Sequence, residues 1–229
     1  MLFNSYIFIF VFLPLTLGSY YGLHKLGKPV FAKVALILMS FWFYGYFNPS
    51  YLWIMCSSIV VNYLLSQLLQ RRWGGTISKG QLALLKKVLL GIGLIFNLGL
   101  IFYFKYYDFF VDNLNKVFST DFQLKNIVLP LGISFFTFQQ VSYMVDSYRG
   151  ETKEYNFTDY ALFVTFFPQL IAGPIVLHNE VLPQFEDKNN WKINWDNMAR
   201  GLYMFAAGLV KKAVIADTLS GSVSWGYSH

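Results

Sequence analysis

The sequence predicts an all-α, polytopic helical membrane protein with broken or re-entrant helices. Three observations carry that prediction. Of 229 residues, 55% are hydrophobic and only 13% are charged, whereas a soluble domain carries about 25% charged residues. Mean hydropathy is correspondingly high, at +0.43. Charge-free runs recur along the chain, and several hold Pro or Gly in mid-run. Lys and Arg gather in short segments between these runs, the pattern left by cytoplasmic retention of basic residues. The net charge of +6 is therefore read as loop charge beside apolar spans, and nucleic-acid binding is excluded as a function class.

Taken in order, residues 3–23 form the first expected span, long enough to cross the hydrocarbon layer and kinked by Pro14. No basic residue or small-residue cleavage site marks it as a signal peptide. Lys25, Lys28 and Lys33 make a basic loop. Residues 34–47 and 51–69 read as a helical hairpin broken at Asn48-Pro49-Ser50. Trp42, Tyr44, Tyr46, Tyr51 and Trp53 surround that turn and place it at a membrane face. A second basic loop, 71–87, carries Arg71, Arg72, Lys79, Lys86 and Lys87 without an acidic residue. Residues 88–104 are the next span, after which Asp108, one helical turn from Lys105, is spaced to pair with it. The alternation of basic loops predicts an amino terminus outside the cytoplasm.

The stretch 127–176 holds the strongest functional signal. Residues 127–145 read as a span or re-entrant loop, and the charge-free run 160–178 as a further span. Pro130, Gly132, Pro168, Gly173 and Pro174 interrupt them. Broken backbone at membrane depth is tolerated where it is buried in protein or lines a cavity. Polar side chains inside apolar runs support an internal path: Asn62, Gln67, Asn97, Ser134, Thr137, Gln139, Gln140, Asp146 and Gln169. For single Asn and Ser residues the plainer reading is interhelical hydrogen bonding. Asp146 and Arg149 are spaced to pair on one helical turn. An interfacial helix over 196–219 follows, capped by Asn194 and carrying Met198, Leu202, Phe205 and Leu209 at helical spacing. Trp191 and Trp195 read as interface anchors. Lys211 and Lys212 are a possible contact for an anionic group, though a solvated pair is the simpler reading. The whole chain reads as one membrane domain, 1–229, and its ending without a polar tail predicts a truncation.

No catalytic residue is assigned. HExxH, CxxC, GxSxG and Walker patterns are absent, and Cys56 alone provides neither a disulfide nor a metal site. His24 reads as a solvated loop residue. His178 follows the broken segment and reads more simply as an interface residue than as part of a cavity mouth. His229, the last residue, gives nothing to judge by.

Several irregular motifs occur together and in order: Tyr103-Phe104-Lys105-Tyr106; Leu129-Pro130-Leu131-Gly132-Ile133-Ser134-Phe135; Ser142-Tyr143 with Asp146 and Tyr148-Arg149-Gly150; Phe167-Pro168-Gln169-Leu170-Ile171-Ala172-Gly173-Pro174; and Val210-Lys211-Lys212 with Ile215-Ala216-Asp217. On these the chain resembles the membrane-bound O-acyltransferase family, most closely its alginate O-acetyltransferase branch. The resemblance implies part of a helical ring in the cell (inner or plasma) membrane. It implies acetyl transfer from a thioester donor such as acetyl-CoA, used as substrate rather than bound as a cofactor. The acceptor would be a cell-surface polysaccharide, reached directly or through partner proteins, as in alginate biosynthesis. The family's embedded Trp-His-Gly motif has no match here, so the chain alone is expected to be inactive. Gln139, Asp146, Arg149, Gln169, Gly173 and Pro174 are the candidate path-lining residues, and no metal site is expected. The alternatives are a non-catalytic scaffold for an acyltransferase partner and a transporter or channel subunit, the latter suited by broken helices and midplane polar groups.

Overall fold

Helix breakers and caps set the element order. A computed structural model describes residues 1–71, 73, 78–170, 173 and 175–227. Among these the chain is helical, without strands: α1 Leu13–Lys25, α2 Pro29–Gly45, α3 Tyr51–Gln70, α4 Lys79–Ile101, α5 Tyr107–Phe118, α6 Ile133–Arg149, α7 Phe157–Thr165, α8 Phe167–Leu170, α9 His178–Glu186, α10 Trp195–Val210 and α11 Asp217–Tyr227. Wider π-helical turns over Phe8–Phe12, Phe102–Tyr106 and Lys211–Ala216 lead into α1, α5 and α11.

The chain divides into two units, Met1–Leu36 with Gln184–His229, and Ile37–Pro183. In the first unit, the disruption expected of Pro14 takes the form of a π-turn. The Leu13 amide reaches back to the Phe8 carbonyl, so the backbone stays bonded around a residue that lacks a donor. Asn194 caps α10, its side-chain oxygen accepting from the Asn197 amide at 3.1 Å. Helical backbone then continues from Trp195 to Tyr227, past Lys211 and Lys212 and beyond the expected end. His24 is not a loop residue. It sits in the last turn of α1, stacked on Trp191 at 4.8 Å and edge-on to Tyr20 at 4.5 Å. Both its ring nitrogens are shielded from solvent. Burial first, then the charge of Lys33, holds its pKa below the ordinary histidine value. Trp191 also donates from its indole to the Phe185 carbonyl at 3.0 Å.

The second unit is built on α3, α4 and α6, with α7 against α3 and α6. Tyr51–Gln70 and the continuous Lys79–Phe118 stretch are long and apolar enough to cross a membrane. The basic segment 71–87 is not a loop throughout, because α4 starts at Lys79. A reciprocal capping box, Ser78 with Gln81, nucleates it there, so Lys86 and Lys87 lie on the helix. Asp108 does not pair with Lys105. Its carboxylate accepts from the backbone amides of Lys125 at 2.8 Å and Ile127 at 3.0 Å, which straps the following extended segment to α5.

Two glycines set the ends of α6. Gly132 takes a left-handed conformation (φ +70°) immediately before Ile133, and Gly150 (φ +77°) ends the helix. Past Gly150, the Glu151 amide returns to the Asp146 carbonyl at 2.9 Å, the closing bond of a glycine-terminated helix. The charge-free run 160–178 is divided among α7, α8 and the start of α9. Extended backbone at Phe166 separates α7 from α8, and Pro168 falls in the first turn of α8, where its missing donor costs nothing. The Phe167 amide at this break donates to the buried Ser40 hydroxyl at 3.3 Å.

Candidate functional site

A polar seam runs through the second unit. On α3, Ser58, Asn62, Ser66 and Gln70 recur every four residues and so share one helix face. Asn62 and Asn97 of α4 exchange amide hydrogen bonds at 2.6 and 3.1 Å, both fully buried. Gln140 of α6 donates to Ser58 at 3.0 Å and accepts from the Tyr160 hydroxyl at 3.3 Å. Gln70 donates to Ser147 at 2.9 Å and to the Tyr143 hydroxyl at 3.3 Å. These bonds satisfy groups that would be costly in an apolar surrounding.

At the end of the seam lies a buried histidine–carboxylate pair. The first residue of α9, His178, is only 3% exposed. Its Nε2 lies 3.3 Å from Asp146 Oδ2, and the Asp146 side chain keeps 20% exposure. A carboxylate only accepts, so Nε2 carries the hydrogen and Nδ1 presents a bare lone pair. Nδ1 is shielded from solvent and has no partner among the described residues. The rings of Tyr143, Tyr155 and Phe163 stand edge-on around the imidazole at 5.1, 5.8 and 6.3 Å. α9 has nine residues and lies outside the two stretches long enough to span. Burial lowers the His178 pKa from the ordinary histidine value, against the opposing pull of Asp146. The result is a neutral imidazole backed by a carboxylate. Such a pair accepts a hydrogen bond or a proton at Nδ1, and the Asp146 carboxylate stabilises the positive charge that a proton would bring.

The family described as MBOAT, membrane-bound O-acyltransferase family, matches residues 36–224. The chain belongs to that family. It is similar to a peptidoglycan O-acetyltransferase of Helicobacter pylori, 41% identical over 99% of this chain and 46% of the relative. It is also similar to proteins described as probable alginate O-acetylase AlgI. The one from Pseudomonas aeruginosa is 36% identical over 96% of this chain and 41% of the relative. The one from Azotobacter vinelandii is 35% identical over 96% and 42%. The chain thus spans less than half the length of these relatives. No solved structure gives a significant match.

Within this membrane-bound O-acyltransferase chain the sequence candidates separate. Asp146 meets His178 and not Arg149, which is exposed, and no ion pair joins Asp146 to Arg149 among the described residues. His178 is accordingly a buried partner and not an interface residue. Gln139 is 2% exposed, and its side-chain oxygen lacks a donor. Gln169 is half-buried and donates to the Phe163 carbonyl at 2.7 Å, tying α8 back to α7. Gly173 is exposed with φ +141°. Pro174 and His229 lie outside the described residues, as does Arg72. Lys211 and Lys212 are exposed, and Lys212 pairs with Asp217. Cys56 is half-buried. Among the described residues no group of three His, Cys, Asp or Glu side chains could hold a metal ion.

Residue spacing does not reveal the His178–Asp146 pair, because 32 residues and two intervening helices, α7 and α8, separate its members. The seam on α3 was detectable, since four polar residues at four-residue spacing inside a charge-free span mark a protein-facing stripe.

Proposed function

We propose that this chain forms part of a multi-pass O-acyltransferase of the cell membrane. In this reading the enzyme moves an acetyl group from a thioester donor such as acetyl-CoA to a hydroxyl of an envelope polysaccharide, directly or through a partner protein. The observation that carries the reading is the 41% identity to a peptidoglycan O-acetyltransferase along 99% of this chain. The buried polar seam supports it, because polar groups held inside an apolar helix bundle commonly mark a substrate path. The basic segments favour an inner-membrane location with the amino terminus outside. Alone, the 229 residues are expected to transfer no acetyl, since none of them matches the family's embedded Trp-His-Gly motif.

The test uses membranes from cells expressing the chain within its complete reading frame. They are supplied with radiolabelled acetyl-CoA and, in separate reactions, peptidoglycan and alginate. Base-labile label on one polysaccharide supports the reading and names the acceptor. Label accumulating inside sealed vesicles without ester formation would replace it with transport.

A further inference from the structure

Two of the atoms left unsatisfied around α6 are pure acceptors. His178 Nδ1 and Gln139 Oε1 are both buried without a donor among the described residues. Gln139 and Asp146 lie seven residues apart on α6, and Tyr143, which contacts the His178 ring, lies between them on the same face. Leaving such an acceptor dry costs about 1–3 kcal/mol, and native proteins seldom tolerate it where nothing binds. What this face lacks is hydrogen-bond donors. A phosphate or carboxylate brings oxygens, which accept, and would also face the Asp146 carboxylate.

We infer that His178 Nδ1, held in its accepting tautomer by Asp146, is a binding point for a neutral hydroxyl or thiol group of a ligand. The inference rests on the acyltransferase reading for the source of that ligand. An O-acyltransferase handles a sugar hydroxyl on its acceptor and, on a pantetheine thioester donor, the hydroxyl of the arm, with the thiol freed once the acyl group has left. Both are neutral donor-bearing groups. Asp146 acts here as a positioning residue. By fixing the hydrogen on Nε2 it keeps the lone pair on Nδ1. No covalent step is required of the pair.

The chain holds three histidines, so histidine-selective nitrogen labelling in detergent micelles gives a spectrum with few signals. His178→Gln identifies the signal of interest. In the ligand-free 229-residue chain, Nδ1 of His178 should appear unprotonated and Nε2 protonated. Methyl N-acetylglucosaminide and pantetheine are then added separately, with inorganic phosphate as the anionic control. A saturable movement of Nδ1 towards the hydrogen-bonded range with the glycoside assigns the site to the acceptor. The same movement with pantetheine assigns it to the donor. Phosphate is expected to leave the signal in place. Asp146→Asn, provided its helicity is unchanged, is expected to lose the movement.

The inference is overturned if neither probe moves Nδ1, if phosphate moves it equally, or if Nδ1 already carries the hydrogen. These outcomes are separable from the fate of the acyltransferase reading. Acetyl transfer by the complete reading frame without movement in the 229 residues removes this inference alone, and movement in the 229 residues without acetyl transfer by the complete reading frame removes the enzyme.

Discussion

At the residue scale, the Asn62–Asn97 pair shows how polar side chains are retained in apolar helices. Each amide gives one hydrogen to the other and one to a carbonyl a turn back in its own helix, at Ser58 and Gly93. Asn62→Ala leaves the Asn97 side-chain carbonyl without a donor and its amide with only the Gly93 bond, and is expected to cost about 1–2 kcal/mol. Replacing both by Leu removes the stranded groups and should recover much of that loss. Denaturant titration of the purified protein in micelles measures both variants, and a double variant worse than the single one would contradict the account. This pair was legible in the sequence, because an Asn within a charge-free run has few alternatives to an interhelical partner. His178 was not. Whether a histidine beside a chain break ends in solvent or in a core depends on where the break folds, and the sequence carries no local signal for that.

At the element scale, α6 is the piece against which α3, α4 and α7 pack, and its contact with α4 is close. A Cβ built on Gly93 would run into the sulfur of Met144, which is fully buried. Gly93→Ala therefore forces Met144 to move within a packed core, at about 1–3 kcal/mol. Met144→Ala is expected to cost less in the Gly93→Ala background than in the native chain, and melting temperatures of both single variants and the double variant test the pair. If Gly93→Ala is neutral, the close approach is not needed. The attachment of α9 to α6 is expected to depend on pH. The folded His178 pKa is lowered by burial, so the unfolded chain binds more protons between the folded value and the unfolded one of about 6.5. Stability is then fully present above that window and falls as pH drops through it. Hydrogen-exchange protection of Val181 and Leu182, corrected for intrinsic rates, should decline on acidification and become flat in His178→Gln. Protection that rises on acidification would mean that the attraction of Asp146 outweighs burial. Element boundaries were legible where breakers stand, as at Asn48-Pro49-Ser50 between α2 and α3. The start of α4 was hidden because basic residues suggested a loop, whereas the Ser78–Gln81 capping box decided it.

At the scale of the whole molecule, the distribution of basic residues across the membrane makes the most exacting prediction. Lys25, Lys28 and Lys33 cluster before and within the start of α2, and Arg71, Lys79, Lys86 and Lys87 cluster between α3 and the first turns of α4. The turn at Asn48-Pro49-Ser50 between them carries no charge. At about 1.5 Å per residue, the 20 residues of α3 reach roughly 30 Å, enough to put its two ends on opposite faces of a bilayer. Retention of basic residues in the cytoplasm then fixes the direction, with Ser50 outside and Arg71 inside. Cys56 is the single cysteine, so Cys56→Ser gives a cysteine-free background in one step. In intact cells, Ser50→Cys in that background should react with a membrane-impermeant maleimide. Arg71→Cys should react only after the cells are opened. The reverse pattern would invert the protein and move its amino terminus to the cytoplasm. Equal labelling of both positions in intact cells would show that α3 does not cross the bilayer. The seam on α3 would then be a soluble core feature and could not serve as part of a transmembrane path.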